Sequence, residues 1–423
     1  MFNFKVSKTM KDVQWSFISL ITASLSHLLL RILLGNELGP SGLGLYTLVF
    51  TIYMFGVLFA SFGIGDALTR YVAEFSDNTQ KAKEYITSGI IGSVFSGFLM
   101  GVLLFLLSDV ISINIFNMPE MANMLKITAI CFPFIAINKT VVGSLNGFRN
   151  MKAFAFLNIS LNMSIFFISI LMVLYLKMGV LGAVLGFVIP TIIICLISIN
   201  LIRSYLVFPS IFFTQNDAYR DILHFGFYAV LGNSILYVYT HIDSLMIGYY
   251  LDEAEVGLYA ISVIFVQGLV LIPSAIQKVT SPIIAKAYAE KEYKFISELI
   301  KRITFKVFVI SSLLSLLVAI FGKVLIMIIF EDIFLPAYLP LLIMLIGYAI
   351  YSTFISIGSF YSSIGYVQLS YKIALFSAIL SIMLNIIFIP RYGIVGAAIA
   401  TTTSLVTLTL LHFFIIKHLL SKM

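Results

Sequence analysis

Charge is what this sequence has least of. Asp, Glu, Lys and Arg make up 11% of its 423 residues, against 61% hydrophobic residues. A soluble chain of this length cannot cover its surface with so few charges, which excludes a water-soluble globule. Cysteine is also scarce: Cys131 and Cys195 both fall inside apolar runs and read as small buried hydrophobes without a disulfide or metal role. The enzyme motifs GxxxxGKS/T, HExxH, GxSxG and DxD are missing. The longest hydrophilic segments, 71–84, 204–221 and 287–302, are too short for a catalytic domain. The reading is therefore a non-enzyme with no cofactor and no metal.

What the sequence has is apolar runs of membrane-spanning length, repeated from end to end. They are unbroken rather than alternating, so they are helices and not strands of a barrel. Twelve spans are predicted, at 14–35, 44–66, 84–108, 120–145, 154–176, 180–203, 222–250, 257–287, 303–330, 337–362, 370–389 and 394–417. The first is too long for a signal peptide and lacks a small-residue cleavage site.

Charge then orients the spans. With the N-terminus inside, 20 of the 26 Lys and Arg residues fall in cytoplasmic segments, among them Lys8, Arg70, Arg149, Arg203, Lys301 and Arg302. The opposite loops carry Glu37, Asp109, Glu120, Asp252, Glu253, Glu255, Glu331 and Asp332. This positive-inside pattern places both termini in the cytoplasm. The net charge of +7 is then topology and contact with anionic membrane lipids. A nucleic-acid partner is not implied, because the basic residues are spread over every inner loop.

The chain also repeats itself. Residues 31–46 align without a gap on 244–259, matching Gly35 with Gly248, Leu38 with Leu251, and Gly44-Leu45-Tyr46 with Gly257-Leu258-Tyr259. RYVAE at 70–74 resembles KAYAE at 286–290, and MGVLGAVLG at 178–186 resembles YGIVGAAIA at 392–400. A six-helix unit is thus written twice, as residues 1–208 and 209–423, with the polar stretch near 205–220 between the copies. An even number of spans per copy makes the repeat parallel, about an axis along the membrane normal. Two such lobes facing each other enclose a cavity, and rocking one on the other gives alternating access.

Ionisable and polar residues inside spans need a partner or a wet cavity, since each charge costs about 2.5–3.5 kcal/mol to insert. Ser24, His27, Arg31 and Gly35 form a stripe at helical spacing on span 1. Arg31 there reads either as the contact for a phosphate or diphosphate or as a side chain reaching to the outer interface. Asn233, Tyr237, Thr240 and Ser244 form the corresponding stripe of span 7, flanked by His241 and Asp243. Asp243 reads as the partner of Arg31 in an outer ion-pair gate, or as a group partnered within its own lobe or holding a coupling cation, Na+ or H+. Lys139 and Asn146 share a face of span 4 and are candidates to line the cavity. Lys126 snorkels in this reading, Asp66 and Arg70 pair at the inner end of span 2, and His412 is structural. Pro133, Pro190, Pro273 and Pro282 lie within spans, and the pair in span 8, Pro273 and Pro282, are the hinge candidates.

Several of these motifs occur together in one known family. Arg31, Gly35, Gly39 and Gly44-Leu45-Tyr46, followed by FGIGDALTRYVAE at 62–74, resemble the first hairpin of polysaccharide flippases. IDSLMIG at 242–248 with VGLY at 256–259 looks like their seventh helix, and NIIFIPRYGIVGAAIATTTS at 385–404 is similar to the family's signature between helices 11 and 12. The resemblance covers the whole chain in order. It implies the all-α, twelve-helix, two-lobed, V-shaped fold with a central cavity that this family shares with multidrug and toxin extrusion transporters and lipid II flippases. It also implies flipping of a polyprenyl-phosphate- or diphosphate-linked oligosaccharide across the cytoplasmic membrane for cell-surface polysaccharide or glycan assembly. Its partners would be that lipid, membrane lipids and other polysaccharide-assembly proteins. Arg31 matches the family's first-helix arginine, and Lys139 is a second phosphate contact. Two alternatives stay open: a cation-coupled exporter of small organic molecules on the same fold, and a membrane-embedded transferase acting on lipid-linked sugars.

Overall fold

A computed structural model of the chain describes residues 8–206 and 216–422. Its helices are α1 (Lys8–Ser61), α2 (Ile64–Glu74), α3 (Thr79–Asp109), α4 (Glu120–Ala129), α5 (Cys131–Gly147), α6 (Met151–Ile170), α7 (Gly179–Ile202), α8 (Asn216–Tyr250), α9 (Glu253–Ala289), α10 (Tyr293–Phe330), α11 (Tyr338–Ile355), α12 (Phe360–Ser363) and α13 (Val367–Lys422). Among the described residues, nine helices are long and apolar enough to cross a membrane, or ten if α4 and α5, bent by 43° at their junction, form one span. Two of the nine are interrupted. In α1, Gly39 has φ 66° and ψ −173°, and Pro40 follows it; in α13, Gly393 has φ 59° and ψ −141°. Positive φ suits glycine, and proline starts a new helix because its missing N–H is unpaired there anyway. Both breaks fall where the sequence predicts a short loop between spans.

The surface is inverted relative to a soluble protein. In α3 the exposed side chains include Phe95, Phe98, Leu99 and Leu106, while the buried ones include Gly89, Ser93, Gly97 and Gly101. Small residues every fourth position let neighbouring backbones approach, and large apolar residues face hydrocarbon. A methyl added to Gly97 would lie 2.6 Å from Pro133 Cα, and one added to Gly101 would lie 2.8 Å from the Ala129 carbonyl oxygen. Likewise Gly65 and Gly143 let α2 and α5 cross, and the Thr69 hydroxyl donates to the Gly143 carbonyl at 3.1 Å.

The chain divides into two compact units: the described residues up to Leu38 with Val49–Ser234, and Gly39–Leu48 with Ile235 onward. The expected boundary at 208/209 lies outside the described residues. The units do not follow it, because the start of α8 packs inside the first unit. There Tyr85 donates to Asp221 at 2.7 Å, and Gly226 lies against the Phe62 carbonyl. The first unit's core joins Ile64, Leu68 and Val72 of α2 with Ile86, Val141, Leu157, Cys195 and Ile222. The second unit's core joins Ile284, Ile296 and Ile300 with Phe360, Tyr361, Leu405 and Ile416.

Candidate functional site

Each unit holds a cluster of polar side chains. In the first unit, Ser16 and Ser19 of α1, Asn146 of α5, and Phe154, Asn158 and Asn162 of α6 line a recess of about 410 Å³. Ser26 Oγ donates to Met163 Sδ at 3.6 Å, which fixes α1 against α6 one turn beyond. His27 then has Asn162 and Arg31 as polar neighbours, and its ring lies 6.0 Å from that of Phe50. Asn162, His27 and Arg31 thus continue the polar surface of the recess along α1.

The structure separates the other predicted residues of this unit. Asn146 is on the recess wall, whereas Ser24 and Lys139 are both exposed and do not line it; Asp66 is a charged neighbour of Lys139. Asp66 and Arg70 form no ion pair within 4 Å among the described residues; Arg70 sits over the rings of Tyr71 and Phe225, 5.4 and 5.7 Å from their centres. Lys126 bonds both carboxylate oxygens of Asp109 at 2.8 Å. Helical spacing told which residues share a face but not which helix that face meets.

In the second unit the centre is Asp243, which is buried. Asn385 Nδ2 donates to its Oδ1 at 2.6 Å, Thr401 Oγ1 donates to its Oδ2 at 2.6 Å, and the Tyr259 hydroxyl lies 3.1 Å from Oδ2. The Tyr259 and Thr401 oxygens are 3.0 Å apart. These partners are all neutral, and all belong to Asp243's own unit. Asn385 Oδ1 is buried with no hydrogen-bond partner among the described residues. The site is therefore a buried carboxylate held by amide and hydroxyl groups, with one open carbonyl oxygen beside it.

The predicted stripe on α8 is not one surface. Ser244 is buried, Asn233 and Thr240 are exposed, and Thr240 bonds back to the Leu236 and Tyr237 carbonyls. Tyr237 and His241 pack ring to ring at 4.3 Å. Pro273 is buried and Pro282 exposed, and α9 runs through both. His412 is buried, stacked on Phe354 at 3.7 Å, with Nδ1 at 3.0 Å from the Tyr361 hydroxyl.

A family model described as Polysaccharide biosynthesis protein matches residues 9–288. The chain belongs to that family. A second model, MatE, matches residues 229–387. Among relatives of the chain, an uncharacterized membrane protein of Methanocaldococcus jannaschii is 24% identical over 422 residues, covering 93% of this chain and 81% of the relative. A putative O-antigen transporter of Shigella flexneri is 23% identical, covering 62% and 63% of the two chains. A probable low-salt glycan biosynthesis flippase, Agl15, of Haloferax volcanii is 26% identical, covering 46% and 41%. The solved structure of the lipid II flippase MurJ in an inward closed conformation superposes with a TM-score of 0.77 at 18% identity, covering 96% of this chain and 87% of MurJ. That likeness shows the fold: the chain is a multi-pass, all-helical membrane protein of MurJ-like and MATE-like architecture.

Sequence reasoning missed Asn158 and Asn162, and the three partners of Asp243. The first pair carried a signal, two amides one turn apart inside an apolar run. Tyr259, Asn385 and Thr401 carried none that ties them to Asp243, because they are neutral and Asn385 and Thr401 lie 142 and 158 residues away from it.

Proposed function

We propose that this protein is a flippase that carries a lipid-linked oligosaccharide, joined to a polyprenyl tail through phosphate or diphosphate, across the cell membrane for surface polysaccharide or glycan assembly. The carrying observation is the polar path in the first unit, from the amide-lined recess through Asn162 and His27 to Arg31. A sugar-phosphate head cannot enter hydrocarbon without partners, while the prenyl tail is at home there. A polar surface inside apolar helices is what such a head requires. Arg31 suits the phosphate, because guanidinium offers several donors in a fixed fork. The likeness to a putative O-antigen transporter of Shigella and a probable glycan biosynthesis flippase of Haloferax supports this reading.

In this reading the chain crosses twelve times, with α1 split at Gly39, α13 split at Gly393, and α4 with α5 as one crossing. That makes two six-helix lobes with both termini in the cytoplasm, working by alternating access without chemical change to the cargo. Asp243, Asn385, Thr401 and Tyr259 are the coupling site, where Na+ or H+ would bind; the open Asn385 Oδ1 beside a carboxylate fits a hard cation's preference for oxygen. This replaces the gate pairing of Asp243 with Arg31.

The buried carboxylate also favours a second reading, a cation-coupled exporter of small organic molecules. Proteoliposomes loaded with labelled lipid-linked oligosaccharide decide between the two. The flippase reading expects the intact lipid to change leaflet, faster under an imposed Na+ or H+ gradient; a leaflet change no faster than in empty liposomes would sink it.

A further inference from the structure

We propose that the recess of the first unit is a sugar-binding subsite that holds the uncharged glycan portion of the cargo next to its phosphate. The proposal rests on the flippase reading and names which part of the cargo each residue meets. Among the described residues, no ionisable side chain lines the recess: its polar groups are the amides of Asn146, Asn158 and Asn162 and the hydroxyls of Ser16 and Ser19. Two of these amides, Asn158 and Asn162, lie inside the span predicted at 154–176, where each polar group needs a hydrogen-bond partner.

The chemistry of the lining selects its ligand. Asn158 donates one Nδ2 proton to the Phe154 carbonyl at 3.1 Å, and Asn162 donates one to the Asn158 carbonyl at 2.8 Å. Asn158 keeps a second N–H and its Oδ1, so it both donates and accepts. The Ser16 hydroxyl donates to the Asp12 carbonyl at 3.0 Å and so presents its oxygen as an acceptor. A phosphate would call for donors only, preferably charged. A hard cation would call for carboxylates. Mixed donors and acceptors without charge match hydroxyl groups, which also do both. Phe154 adds an apolar ring face, suited to the C–H face of a pyranose. At about 410 Å³, the recess is within the size range of small-molecule sites, roughly 300–1,000 Å³.

Position joins the recess to the phosphate contact. Ala23, on the recess wall, is eight residues before Arg31, which is roughly 12 Å along a helix rising 1.5 Å per residue. His27 lies between them and meets Asn162. The cargo's head is thus read in two parts: phosphate at Arg31, sugar among the amides.

The protein carries its own reporter. Its single tryptophan, Trp15, precedes Ser16 on the recess wall. The full-length protein in lipid nanodiscs is titrated with two radiolabelled probes, undecaprenyl phosphate and the lipid-linked oligosaccharide fraction from the cells that make the protein. Affinity is read from retained label, and Trp15 emission is recorded alongside. The wild type is expected to bind the sugar-bearing probe at least about tenfold more tightly, the effect of one or two added hydrogen bonds in a buried site. Only that probe should shift Trp15 emission. The double variant N158L/N162L should lose the tenfold preference and the emission shift while keeping its affinity for undecaprenyl phosphate. A23F, which fills the recess while leaving every amide in place, should do the same and stands in if the double variant does not fold. R31A should weaken both probes. Equal wild-type affinity for the two probes, or an unchanged preference in N158L/N162L and A23F, overturns the sugar subsite and leaves the flippase reading standing. A wild type that binds neither probe overturns both.

Discussion

Gly44 and Gly257, the same position in the two copies of the repeated motif, lie back to back in the second unit. A methyl on Gly44 would lie 2.8 Å from the Gly257 nitrogen, and one on Gly257 would lie 3.1 Å from the Gly44 nitrogen. The Glu253 and Pro40 carbonyls press still closer on the two positions. The motif is repeated because each copy begins a helix after a short turn, and the two helix starts pack on each other through their smallest residues.

Gly44→Ala and Gly257→Ala should therefore each destabilise the protein by about 1–3 kcal/mol, the range for overpacking a tight contact. The double variant should cost less than the sum, because either methyl already forces the same two backbones apart. Gly268→Ala is the control. Nothing lies within 4 Å of a methyl built there, so it should leave stability unchanged or raise it by about 0.5–1 kcal/mol. Thermal unfolding in detergent measures all four, and additive losses in the double variant would contradict a shared contact.

Asp243 separates a structural role from coupling. Asn at this position keeps the shape: its Oδ1 can accept from Asn385, and its amide N–H can donate to the Thr401 or Tyr259 oxygen, so Asp243→Asn should fold with nearly wild-type stability. It should lose the response of transport to an imposed Na+ or H+ gradient, because the negative charge is gone. Asp243→Ala takes the acceptor from the buried Asn385 amide and one acceptor from the half-buried Thr401 hydroxyl, and should cost about 1–3 kcal/mol. The comparison needs both gradient-driven transport rates and melting curves; an Asn variant that still responds to the gradient moves the coupling site elsewhere.

Much of the fold was legible in the sequence because a bilayer constrains it so tightly. Apolar length gives the spans, and the glycine–proline break after Gly39 and the glycine at 393 mark where two of them end. The site was legible in part. His27, Arg31 and Asn146 follow from polar spacing on apolar helices, but Lys139 and Ser24, picked out by the same spacing, are exposed and do not line the recess. Spacing fixes a side chain's angle on its own helix. Which neighbour lies at that angle depends on helix packing, and here packing is set by small residues spread over the whole chain, such as Gly65 against Gly143.

The two faces of α3 put that packing rule to the test. Gly97 is buried against Pro133, whereas its neighbour Phe98 is 64% exposed. Gly97→Leu should prevent stable folding, since even the first carbon of the side chain would lie 2.6 Å from Pro133 Cα. Phe98→Leu exchanges one lipid-facing apolar group for another and should change stability by less than about 0.5 kcal/mol. Yield of monodisperse protein and melting temperature give the answer. A tolerated Gly97→Leu would mean that α3 does not pack on α5 as described.

Arg31 is where the phosphate reading and the snorkelling reading make opposite forecasts. If Arg31 only anchors α1 at the interface, Lys serves equally well, since its long stem also reaches polar surroundings. If Arg31 binds phosphate, Lys keeps the charge but loses the planar fork, and Gln loses both. Charged hydrogen bonds contribute about 1.5–3 kcal/mol, so Arg31→Lys should slow lipid-linked oligosaccharide translocation about tenfold and Arg31→Gln about a hundredfold. Initial rates in proteoliposomes, with melting temperature as the folding control, measure the series. The graded order Arg, Lys, Gln belongs to anion recognition; equal rates for Arg and Lys, with loss only in Gln, would return Arg31 to the role of a membrane anchor.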